Sequence, residues 1–135
     1  MKRLYLIVVV LCLGFISCSQ DSDTPTTPSI SKTVNIDYEF TTSLAATYSV
    51  KYYAPNLNQD LTEVFYGTSW SKKFNATVNN STNIIHFIIT DIDTQGAFQS
   101  DCSGQILVDG QVQATNAAVL TSDGQPFETV YKIVL

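Results

Sequence analysis

The sequence predicts an all-β domain, an antiparallel β-sandwich of seven or eight short strands preceded by a signal peptide and a flexible tether. Three observations carry that expectation. From Thr33 onward apolar residues recur at every second position, the repeat that puts alternate side chains on one face of a strand. Clusters of Asn, Asp, Gly, Ser and Pro interrupt these runs at regular intervals. After Cys18 no segment carries the 3.6-residue apolar period of a helix. A small closed barrel is the alternative architecture.

Each segment follows from its own pattern. In TVNIDYEFT, Val34, Ile36, Tyr38 and Phe40 alternate with Asn35, Asp37 and Glu39, the mark of a half-buried strand. AATYSVKYY repeats the theme with Ala46, Tyr48, Val50 and Tyr52 on one face. LTEVFYG follows a turn that contains Pro55, Asn56 and Asn58. WSKKFNATV places Trp70, Phe74, Ala76 and Val78 on one side, yet Lys72 shares their parity, which implies a strand end, a bulge or a snorkelling side chain. NIIHFIIT is apolar on both parities and reads as a central strand covered on both faces, or one near a covered edge. In SGQILVDGQVQAT two runs flank Asp109 and Gly110, the pair favoured by a two-residue type I′ hairpin because both positions need positive φ. A further turn at residues 122–126 leads into FETVYKIVL, with Phe127, Thr129, Tyr131, Ile133 and Leu135 on one face.

The front of the chain reads as an address. Lys2 and Arg3 precede an apolar run over residues 4–16, the layout of a secretory signal and too short for a comfortable span of roughly 20 residues. Phe15, Ile16, Ser17 and Cys18 resemble a bacterial lipobox, in which the cysteine sulfur takes a diacylglycerol and becomes the mature N-terminus. Phe15 stands where Leu is usual. The expected organisation is a lipoprotein signal peptide at 1–17, lipidated Cys18 and a linker at 18–32, and a β-domain at 33–135. The polar, acidic run after Cys18 looks like the segment that follows the lipid in many Bacteroidota surface lipoproteins. Several acyl chains on one cysteine give stable attachment. The expected location is therefore the bacterial outer membrane, on its periplasmic or external side.

Loss of Lys2 and Arg3 with the signal leaves five cations against 12 anions, taking the formal charge from −5 to −7. An acidic domain of this kind argues against nucleic acid as a partner. Of the three cysteines, Cys12 leaves with the signal and Cys18 takes the lipid, so Cys102 has no partner for a disulfide and is expected as a buried thiol.

The strand ATYSVKYY, the Trp70-Ser71-Lys72 strand and the hairpin with Ile106, Val108, Asp109 and Gly110, in that order, resemble the MmpS family (mycobacterial membrane protein, small). The resemblance implies an Ig-like β-sandwich on the extracytoplasmic side of a membrane, where the family accompanies large lipid exporters. This chain departs from the pattern in having Gly104 where the family has a hairpin cysteine, in lacking the C-terminal partner cysteine, and in replacing a transmembrane anchor with a lipid. The exporter role does not carry over.

Candidate chemistry is sparse. His86, the single histidine, lies between Ile85 and Phe87 and is expected as a satisfied core or edge residue. No Gly-x-Ser-x-Gly turn or Ser-x-x-Lys helix is present, so no catalytic residues are assigned and the chain is not expected to be an enzyme. DIDTQGAFQSDC begins like a calcium loop with Asp91, Asp93, Gln95 and Gly96, but Cys102 occupies the place of the bidentate Glu. It reads as a plain inter-strand loop, and neither metal nor cofactor is assigned. Tyr53 and Tyr66 are the outward aromatics that would contact a ligand. The expected function is a non-catalytic, lipid-anchored accessory or interaction domain with an envelope protein as partner. The alternative is a carbohydrate-binding lipoprotein that stacks sugars on those rings.

Overall fold

The computed structural model describes residues 30–79, 83–93 and 97–135. Residues 1–29, where the signal peptide, lipidated Cys18 and most of the linker are expected, lie outside them, as do residues 80–82 and residues 94–96, which include Gln95 and Gly96. Six antiparallel strands form one sheet: β1 (Ser31–Ala54), β2 (Gln59–Asn79), β3 (Asn83–Asp91), β4 (Ala97–Val108), β5 (Gln111–Ser122) and β6 (Pro126–Ile133). Their order is β5-β4-β1-β3-β6, with β2 on the other edge of β1. The sheet curls until it is nearly closed into a barrel. At the closing seam the Asn116 side-chain amide donates to the Glu128 carbonyl at 2.7 Å.

The all-β, antiparallel class is as expected; the strand count of seven or eight is not. Residues 33–41 and 45–53 were two separate runs in the sequence pattern and are one strand here, and residues 61–67 and 70–78 are likewise one. The chain does not reverse between them. It bulges: the register runs to Thr41 opposite Ser69 and resumes at Ala46 opposite Gly67. Such a bulge bends a ribbon sharply. Alternation alone does not distinguish a bend from a turn. β1 begins at Ser31, two residues earlier than the expected domain start.

The bend divides the molecule into two halves that share the β1–β2 ribbon. In the first, residues 31–41 of β1 pair with the later part of β2 and with β4, which carries β5. In the second, residues 46–54 pair with the earlier part of β2 and with β3, which carries β6. Both inner faces meet in the core, where Phe127 packs on Phe40 and Phe87 with ring centroids 5.4 and 6.4 Å apart. Trp70 joins Phe87 at 5.7 Å, a buried core residue as its position suggested. Rings of this size dominate core energetics, at about 1.5–3 kcal/mol each for full burial. Gly104 marks the closest approach of the halves. A Cβ there would sit 2.6 Å from Phe127, 2.7 Å from Phe87 and 2.7 Å from the Thr129 hydroxyl.

The hairpin between β4 and β5 is the expected two-residue turn, with φ of 51° at Asp109 and 76° at Gly110. Its tip is fastened to the start of β1: Asn35 N–H donates to Asp109 Oδ1 at 2.9 Å, and Lys32 lies 3.0 Å from Oδ2. These contacts, the backbone donor first, hold the Asp109 carboxyl below its usual range. Cys102 is buried and free, its thiol 3.6 Å from the Thr42 hydroxyl.

Candidate interaction surface

The outward residues of the second half form a grid. Asp60 stands opposite Tyr53, Thr62 opposite Lys51, Val64 opposite Ser49, and Tyr66 opposite Thr47. The grid continues through Ile88 opposite Lys51 and through His86 opposite Val130. β3 is central by pairing, but only one of its faces is covered. Ile85, Phe87 and Ile89 point into the core, whereas Ile84 is exposed and His86 and Ile88 are half-buried on the outside. The expected cover on both faces is therefore absent among the described residues. Val64, Tyr66, Ile84 and Val130 leave apolar area in water on this side.

Ion pairs cluster around Asp60, while Glu128 and Lys132 stand exposed opposite Ile88 and Ile84. Asp60 accepts from Lys51 at 2.9 Å and lies 3.3 Å from His86 Nε2. The Lys51 bond, with the nearby imidazole, lowers the Asp60 carboxyl from its ordinary value. His86 is thus an outer-face residue with 20 % of its side chain exposed, partnered by a carboxylate instead of being held in the core. Its ring also lies 6.3 Å from that of Tyr53.

The two tyrosines singled out in the sequence both point outward, but they do different things. Tyr66 is 75 % exposed. Tyr53 is half-buried, donates to Asn58 Oδ1 at 2.6 Å, and through its carbonyl accepts the buried Tyr38 hydroxyl at 2.9 Å. Burial holds that Tyr38 phenol protonated well above its usual range. Tyr53 therefore braces the β1–β2 turn. In register Tyr66 faces Thr47, six residues from Tyr53, which is about 20 Å along the strand. The two rings do not meet on one sugar. A cleft of about 320 Å³ is lined by Tyr53, Asn58 and Val78. A larger one of about 530 Å³ lies where β1 begins, between Val34, Val108, Tyr131 and Ile133, and includes neither Tyr66 nor His86.

Lys72 and Glu63 were not singled out as a pair in the sequence. The bulge switches the inward parity of β2 from odd to even residues, so Glu63 and Lys72 both face inward from opposite sides of the bend. Glu63 accepts from Lys72 Nζ at 2.7 Å, Trp70 Nε1 at 2.6 Å and Tyr52 OH at 3.2 Å, and the Lys72 ammonium lies 5.2 Å from the centre of the Tyr52 ring. Burial opposes ionisation of Glu63; the bonds from Lys72, Trp70 and Tyr52 outweigh it and hold the carboxyl below its usual range. The shared parity of Lys72 with Trp70 was the one signal visible beforehand. The partner, nine residues away across a bend, was not.

The acidic pair at the start of the calcium-like loop is used to hold the chain. Asp91 is buried, and its Oδ1 accepts the Asp93 N–H at 3.1 Å. Asp93 in turn takes the Thr47 N–H at 2.9 Å and the Thr47 hydroxyl at 2.5 Å. No group of three or more His, Cys, Asp or Glu among the described residues is placed to hold a metal ion. No described helix is long and apolar enough to cross a membrane. No family model matches the chain, and neither the curated proteins nor the solved structures contain a match to it.

Proposed function

We propose that the chain is a non-catalytic envelope lipoprotein, anchored through Cys18 to the outer membrane, whose β-domain binds a protein partner. One observation carries this reading: the central strand β3 is apolar on both sides, and its outer side, with Ile84, Ile88 and the neighbouring Val130, has no covering layer among the described residues. A sequence spends apolar residues on an open sheet face where something is to cover it. The tight hairpin at Asp109 and Gly110 and the Trp70-Ser71-Lys72 strand, with Trp70 and Lys72 turned inward, support the Ig-like, MmpS-like character of the domain as part of the same reading.

Cross-linking in the native envelope, with a photoreactive residue at Val130, tests the partner. Capture of one envelope protein at Val130 and not at Lys73 on the other half is expected; equal or absent capture at both sites defeats the reading. Palmitate labelling tests the anchor, and label retained by Cys18→Ala would overturn it. The exposure of Tyr66 favours a second reading, a carbohydrate-binding surface. Retention on immobilised polysaccharide that Tyr66→Ala abolishes would support it, and no retention on any glycan would remove it.

A further inference from the structure

The edge of β2 that faces away from β1 bonds to no other strand among the described residues, over Gln59–Asn79. The other two edge strands, β5 and β6, lean on each other through Asn116 and Glu128. An open edge is a template for another strand, and inward-pointing charges are a device that discourages unwanted pairing. β2 carries charges in a particular order. Inward Glu63 and outward Asp60 lie before the bend, inward Lys72 and outward Lys73 after it, and each also has an ion-pair partner within its own chain. A parallel neighbour of the same sequence would set like charge against like. An antiparallel one sets acid against base.

We propose that β2 pairs with β2 of a second copy of this chain, antiparallel, about a two-fold axis through Gly67 and Thr68. This register places Glu63 opposite Lys72 of the second copy and Asp60 diagonal to its Lys73, both within reach of cross-strand charge pairing. Faces match as well as charges. Inward residues are odd-numbered before the bend and even-numbered after it, so Phe65 meets Trp70 of the second copy on the inside, and Val64 meets Ser71 on the outside. A two-fold through the bend also carries the bent edge onto itself, so both copies curve the same way. The interface is isologous and uses up the open edge of each copy, which closes the assembly at two. This proposal concerns the edge of the sheet and does not depend on the partner assigned to its outer face.

The register is testable by disulfide formation in the full chain produced with its own leader. Thr68 lies beside its own counterpart across the axis, within the Cα separation a disulfide allows. Ser71 lies seven positions from its counterpart, about 23 Å. Mild oxidation is expected to link Thr68→Cys into a dimer and to leave Ser71→Cys as a monomer. No link at Thr68, equal links at both positions, or a product of any mass other than two chains overturns the proposal. Sedimentation of the unsubstituted full chain in detergent gives an independent reading; a monomer throughout the micromolar range also overturns it.

Discussion

The two halves are built on the same ribbon with the same alternation, yet their outer faces differ in kind. On the first half polar side chains pair across strands: Asn75 donates to Asn35 at 2.9 Å, Lys73 lies 3.1 Å from Asp37, and Gln105 donates to Glu39 at 2.5 Å. Thr33 and Thr77 add a hydroxyl contact at 3.2 Å. Most of this face is self-paired, although Val112 and Val119 of β5 leave apolar area in water on this half too. On the second half the grid holds ion pairs around Asp60 and exposed Glu128 and Lys132 opposite Ile88 and Ile84, and among these it leaves Val64, Tyr66, Ile84 and Val130 bare. Both outer faces rise from the same β1–β2 ribbon. The difference lies wholly in which residue types fill the outward positions.

The deepest way to break the comparison is to force the halves apart. Gly104→Ala inserts a methyl group against Phe127, Phe87 and Thr129, and is expected to destabilise the domain by about 1–3 kcal/mol, read from the shift in urea midpoint. Next comes the clamp across the bend. Glu63→Gln removes a one-third exposed carboxylate bonded by Lys72 and Trp70, and is expected to cost about 1 kcal/mol after allowance for solvent screening. The pH dependence has a definite sign. Because folding lowers the Glu63 pKa below its ordinary 4.5, its contribution is complete above that value and is lost as pH falls through it towards the lowered folded value. Urea midpoints below pH 5 should therefore fall less steeply in Glu63→Gln than in the wild type. An identical pH slope would assign acid sensitivity to other carboxylates.

Smaller effects sharpen the contrast between the faces. Asp37→Asn weakens one rung of the polar ladder, and because Lys73 is largely exposed the expected loss is only about 0.2–1 kcal/mol, reduced further by salt. Val64→Ser combined with Tyr66→Ser should leave stability within about 0.5 kcal/mol of the wild type. The same pair should lower binding of an apolar fluorescent dye at neutral pH, whereas Ser69→Ala with Ser71→Ala on the first half should not lower it. Equal dye binding in the wild type and the double serine variant would show that the two outer faces do not differ as described.

Much of this was legible in the residues. The inward set from Val34 to Phe40 and from Ala46 to Tyr52, the Asp109-Gly110 hairpin and the burial of Trp70 and Cys102 all follow from alternation and turn chemistry. The two bends were not, because a run of polar residues such as those around Thr42 reads the same whether the chain turns back or bulges. That is why eight apparent strands are six. His86 is satisfied, by Asp60, but its outward face was not legible for a related reason: in a strand apolar on both parities, neither parity announces itself as the inner one. The contacts Asp60–His86 and Glu63–Lys72 depend on register between segments, which one chain's composition does not encode.

β1 is a single strand that serves as a wall of both halves, bonded on one side to β2 on either side of the bulge between Thr41 and Ala46, and on the other to β4 over Ile36–Thr42 and to β3 over Tyr48–Tyr52. Neither half therefore has a hinge at which it can come away while the other persists. Unravelling of β1 within residues 36–41 or 48–52 releases strand neighbours on both sides, so the amides of β3 and β4 are expected to lose protection from solvent exchange together, in one step, although the two strands do not pair with each other.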